Sequence, residues 1–125
     1  VSAAVAFTMR QVAEALKRYS YRFNDEAALH RGIAEVLRQG DIEFQHEHVA
    51  GADRFDFLLA GGIVIEAKIK GTMAEALRQI DRYLSRDDVA GVILVTTTLW
   101  GRTPAQKPTM RGKPVLFALI GRQSF

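Results

Sequence analysis

Two carboxylates and an amine dominate the chemistry this chain can offer. Arg54-Phe55-Asp56-Phe57-Leu58-Leu59 and Ile63-Val64-Ile65-Glu66-Ala67-Lys68-Ile69-Lys70 are apolar runs on either side of a Gly61-Gly62 pair, the pattern of a β-hairpin. In the second run Ile63, Ile65, Ala67 and Ile69 share one face, and Val64, Glu66, Lys68 and Lys70 share the other. Glu66 and Lys68 therefore point the same way, about 7 Å apart along the strand. The turn decides whether Asp56 joins them. A two-residue loop would set Asp56 opposite Ala67 and send its side chain to the other face. A three-residue loop, Ala60-Gly61-Gly62, pairs Leu59 with Ile63 and sets Asp56 opposite Glu66. The three-residue loop is the expectation, because it gathers all three groups. The competing reading is a solvent-facing hairpin with alternating charges. Against it, the following segments read as a helix and an apolar strand, which makes the second run interior to a sheet. Charges there are costly unless they are paired or bound to a metal.

The remaining elements must hold this cluster in place. Thr8 to Gln11 resembles a capping box opening a helix to about Arg18. A second helix is expected from an Asn24 cap to Gln39, with Leu29, Ile33, Val36 and Leu37 as its buried stripe. Glu26 sits at the edge of that stripe in the first turn. There it either favours the helix dipole or aims along the core face at the hairpin. Ile42 to Val49 reads as a strand with Ile42, Phe44, His46 and His48 on one side. His46-Glu47-His48 completes no recognised ligand pattern, so these residues are read as strand histidines near DNA phosphate rather than as a metal site. Gly71 and the Thr72–Glu75 capping box open a helix to about Leu84, with Gln79 and Tyr83 one turn apart on its flank. Gly91 to Val95 is a strand buried on both faces and parallel to the Glu66 strand. Val115 to Ile120 is a last strand. Tyr19, Tyr21 and Phe23 are either packed or available to stack on bases.

At 125 residues, with 48% hydrophobic and 25% charged residues, the chain fits one α/β domain with an extra N-terminal helix at about 8–18. It has no cysteine, which excludes disulfides, thiolate zinc sites and cysteine nucleophiles. No run is long enough to span a membrane, and Val1 to Phe7 makes a poor signal peptide, so a cytoplasmic protein is expected. The net charge of +3 is modest, but it is unevenly spread. From Val89 onward there is no acid, and the Leu99–Pro114 loop carries Arg102, Lys107, Arg111 and Lys113. Such a surface suits a polyanion, or it is simply a basic solvated loop.

Asp56, the run Glu66-Ala67-Lys68, Glu26, and Gln79 with Tyr83 together resemble the PD-(D/E)XK nuclease superfamily, in particular its Holliday-junction-resolvase-like and RecB-like members. The resemblance covers Asn24 to Thr98. Asp56 and Glu66-x-Lys68 stand at the family's acid and its E-x-K, and Glu26 stands at the first-helix acid. Gln79-Ile80-Asp81-Arg82-Tyr83 stands at the QxxxY pattern, while Phe55 stands where the family name implies proline. The resemblance implies a restriction-endonuclease-like core: a mixed central sheet flanked by helices, in the order α-β-β-β-α-β.

It also implies a metal-dependent nuclease acting on DNA, on branched or broken substrates in recombination, repair or mobile-element defence. Asp56, Glu66 and the Ala67 carbonyl would hold Mg²⁺, with Mn²⁺ as a substitute, and Lys68 would orient the attacking water or stabilise developing charge. Glu26, Gln79 and Tyr83 would complete the catalytic set, and a two-fold dimer would suit a resolvase. The alternative is a non-catalytic nucleic-acid-binding or assembly module that keeps the fold.

Overall fold

The computed structural model describes residues 2–98 and 109–121. Along the chain run α1 (Ala3–Arg18), α2 (Glu26–Gln39), β1 (Phe44–Ala50), β2 (Asp53–Leu59), β3 (Ile63–Lys68), α3 (Met73–Leu84), β4 (Gly91–Thr96), β5 (Thr109–Met110) and β6 (Lys113–Leu119). The protein is α/β, with one mixed six-stranded sheet in the order β1-β2-β3-β4-β6-β5. The pairs β1–β2, β2–β3 and β5–β6 are antiparallel, while β3–β4 and β4–β6 are parallel. Among the described residues, no helix is long and apolar enough to cross a membrane.

Helices cover both faces, and each face has its own core. On one side Met9, Val12, Leu16, Leu29, Ile33 and Leu37 of α1 and α2 pack on Phe57, Ile63, Ile65, Ile93 and Val95. On the other side Ala76, Ile80, Tyr83 and Leu84 of α3 pack on Phe55, Val64, Val92 and Leu94. β3 and β4 lie in the middle of this sandwich, so both of their faces are apolar and nearly every residue is buried. Close approach fixes two glycines. At Gly32 an added β-carbon would come within 2.8 Å of the buried Tyr21 ring, and at Gly91 it would collide with the Met9 sulfur.

The hairpin turns as its glycines require. Gly61 and Gly62 have φ of 82° and 84°, and Leu59 pairs with Ile63 across a three-residue loop. α3 carries the full Thr72–Glu75 capping box. Several boundaries differ from expectation. β1 runs Phe44–Ala50 rather than Ile42 to Val49. β6 runs Lys113–Leu119 rather than Val115 to Ile120, so Lys113 lies on a strand and not in the expected loop. α1 starts five residues earlier, because Ser2 accepts from the Val5 amide and caps the Ala-rich run before Thr8. α2 is capped by Asp25 rather than Asn24, through a 2.8 Å bond from the Ala28 amide to its carboxylate. β5 is a two-residue strand not foreseen in the sequence. The aromatic connector is packed: Tyr21 and Phe23 are buried, and the Tyr21 hydroxyl donates to the Leu16 carbonyl.

Candidate active site

The register that pairs Leu59 with Ile63, Leu58 with Val64 and Phe57 with Ile65 brings Asp56 opposite Glu66. There the backbone ladder gives way to side chains. The Asp56 N–H donates to Glu66 Oε1 at 3.0 Å, and the Ala67 N–H donates to Asp56 Oδ2 at 2.8 Å. Each carboxylate thus accepts from a backbone amide on the facing strand, which locks the pair across the gap.

The strand pleat also breaks here. Phe57 belongs to the α1/α2 core and Phe55 to the α3 core, although residues two apart on a regular strand share a face. On β1 the same crossing occurs opposite, at Glu47, whose φ of 54° is left-handed. His46 consequently stacks on Phe57 and His48 on Phe55, so these histidines serve different faces and not the single one expected. Asp56 sits at the crossing point.

Burial and like charge push the two carboxyls in opposite directions. Glu66 is 3% exposed. Desolvation first, and the Asp56 charge second, raise its pKa to about 8, against the Asp56 amide and Lys68, which pull it down. For Asp56 burial is again the largest influence and acts upward. It is outweighed by His30, the Ala67 amide and Glu66, so the Asp56 carboxyl lies below the ordinary range. Two carboxyls with pKa values driven apart, beside an amine, are a common arrangement in acid–base and metal sites.

His30 was not among the residues singled out from sequence. It follows Leu29 on the buried face of α2, and its Nε2 lies 3.4 Å from Asp56 Oδ2. Its Nδ1 lies 2.8 Å from His46 Nε2. The Asp56 carboxylate facing His30 is the main influence raising the imidazole's pKa, with burial opposing and the charges of Glu26 and Glu47 adding to the rise. Glu26 lies four residues before His30 on the same helix face, a spacing that alone does not mark the histidine as a site residue.

The other candidates fall at different distances from this centre. Lys68 ends β3, half-buried, near enough to Glu66 to favour its ionised form. Glu26 is exposed in the first turn of α2, one turn from His30. Tyr83 is buried, with its ring edge-on to Phe55. Its hydroxyl donates to the Arg54 carbonyl at 3.1 Å and accepts from Gln79 Nε2 at 2.9 Å. This chain ties α3 to β2 two residues from Asp56. Arg111 is bound to Asp81 at 2.9 Å, and Lys113 donates to the Leu84 and Arg86 carbonyls at the end of α3. This basic segment thus meets opposing groups from α3 that its own sequence does not contain. Arg102 and Lys107 lie outside the described residues.

No family model, characterised protein or solved structure matches this chain.

Proposed function

We propose that the chain is a metal-dependent nuclease with a restriction-endonuclease-like, PD-(D/E)XK-type core. The observation that carries this reading is the cross-strand pair of Asp56 and Glu66, linked by reciprocal amide bonds, with Lys68 on the same strand. The element order α2-β1-β2-β3-α3-β4, with β3 and β4 parallel, supports it.

The donor set fits a hard divalent cation. Both groups are oxygen ligands, and the charge that burial and Asp56 deny to Glu66 is one that a cation would restore. Asp56, Glu66 and the Ala67 carbonyl would hold Mg²⁺, or Mn²⁺ in its place, which would supply charge neutralisation for the phosphate and a more acidic water. Hydrolysis forms a bond from water oxygen to phosphorus and breaks the bond to the leaving sugar oxygen. Lys68 serves by donating hydrogen bonds to the attacking water and to the phosphate oxygens as negative charge grows on them. His30 and the Ala67 amide keep Asp56 ionised and aimed. Tyr83 and Gln79 position the β2 strand that carries Asp56, and Glu26 adds negative charge at the rim.

Cleavage of linear, nicked, flapped and four-way DNA with Mg²⁺ or Mn²⁺ tests the proposal. The expected result is cleavage that chelator stops and that Asp56→Ala or Lys68→Ala reduces at least about 100-fold, with the fold intact by circular dichroism. DNA binding with no cleavage of any substrate would favour the assembly-module reading instead.

A further inference from the structure

A second group of ligating side chains faces the α2 side of the same gap. His30 Nδ1 and His46 Nε2 are 2.8 Å apart, and His46 Nε2 is 3.7 Å from Glu47 Oε1. One ligand atom from each of His30, His46 and Glu47 lies within 4.8 Å of the other two. Phe57 holds both rings in place: His46 lies flat on it at 4.8 Å between centroids, and His30 is tilted against it at 5.4 Å. The remaining nitrogen of His30, Nε2, is buried without a hydrogen bond, 3.4 Å from Asp56 Oδ2. The His30 side chain is 9% exposed, so water cannot readily satisfy it.

The geometry points to a transition-metal site in which His30 Nδ1, His46 Nε2 and a Glu47 carboxylate oxygen ligate one divalent ion of the zinc class, with Asp56 orienting His30 from behind. The donor set selects the ion: two imidazole nitrogens and one carboxylate suit zinc and its first-row neighbours far better than magnesium. A carboxylate facing the far nitrogen of a ligating histidine is the usual outer partner of such sites. With the proton on Nε2, towards Asp56, the Nδ1 lone pair is left for the ion. Two nitrogens each about 2.0–2.1 Å from a tetrahedral ion stand about 3.3 Å apart, so the rings need open by only about half an ångström. His30 closes the site on the core side. His46 and Glu47, with side chains 43% and 47% exposed, leave an entry path and room for water as a further ligand. The bound ion would pin α2 to the edge strand β1. This site does not rest on the nuclease reading.

The test uses the untagged chain, stripped with chelator and titrated with Co²⁺ and then Zn²⁺. One tightly bound Co²⁺ per chain is expected, apart from any weaker ion on the carboxylate pair, with visible d–d absorption of a low-coordinate nitrogen–oxygen site that Zn²⁺ displaces. His46→Ala and Glu47→Gln change exposed positions and should each weaken Zn²⁺ binding by on the order of 100-fold, and Asp56→Asn by about 10- to 100-fold. Glu66→Gln should leave zinc affinity within about threefold, because Glu66 is not in the ligand set. Zinc affinity unchanged by His46→Ala, or lost only in Glu66→Gln, would place any ion on the carboxylate pair and overturn the inference. So would an absence of saturable Co²⁺ or Zn²⁺ binding.

Discussion

Glu66 is held where its ionised form is disfavoured, and that makes the metal-free protein sensitive to pH. Its folded pKa of about 8 stands above the ordinary value of 4.5. The stability linked to it is therefore fully present below pH 4.5 and lost as pH rises through 8. His30, also raised, acts in the same direction from its ordinary 6.5 upward. Asp56 is lowered, so its contribution is present above 3.8 and lost only in stronger acid. With chelator present, Glu66→Gln should gain on wild type in melting temperature from pH 5 to pH 8, by a difference worth a few kcal/mol at most. A melting-temperature gap that stays constant over that range would mean Glu66 is not held neutral in the fold. The pair itself was legible from Asp56, Glu66 and Lys68 and one decision about the turn. His30 was not, because its meaning depends on α2 packing across β1 and β2, which one helix's periodicity does not reveal.

The hairpin shows why some elements could be read and others not. Two adjacent glycines announced a turn with positive φ, but they suit a two-residue loop as well as a three-residue one, and only the pairing of Asp56 with Glu66 separated the two registers. Glu47 adopts the same backbone region without a glycine to mark it, so the pleat crossing that separates His46 from His48 had no sequence signature. The two turn glycines should respond differently to substitution. Gly61→Ala meets no neighbour and should cost about 1–2 kcal/mol for the left-handed backbone alone. At Gly62 a β-carbon would come within 2.5 Å of the Asp88 carbonyl, and the Gly62 carbonyl also accepts from the Ala90 amide at 2.8 Å. Gly62→Ala should therefore destabilise the protein more than Gly61→Ala in urea unfolding. On α3, Tyr83→Phe removes the hydroxyl that bridges Gln79 and the Arg54 carbonyl, which should cost about 1–2 kcal/mol. A residue that only positions β2 should then lose less than about tenfold in cleavage rate at a temperature where both proteins are folded. A loss near 100-fold would make the hydroxyl a direct participant.

Across the whole molecule, charge was legible as composition but not as pairing. The absence of acids after Val89 is plain in the sequence, yet Arg111 finds Asp81 and Lys113 finds the end of α3. If the basic loop carries DNA, neutral substitution of Arg102, Lys107 and Arg111 together should flatten the salt dependence of binding by about two to three units and weaken all sequences alike. Asp81→Asn should do the reverse, tightening binding by releasing Arg111 for phosphate; unchanged affinity would take Arg111 out of the DNA surface. In the proposed nuclease, Glu66 gives up stability to hold a catalytic cation. The rate of DNA cleavage by Glu66→Gln at pH 8, beside wild type with Mg²⁺ and with chelator, tests it most directly. The account predicts wild-type cleavage that requires the ion, and a variant at least about 100-fold slower although it melts no lower than wild type. Wild-type cleavage persisting in excess chelator, or a Glu66→Gln protein cutting at the wild-type rate, would contradict it.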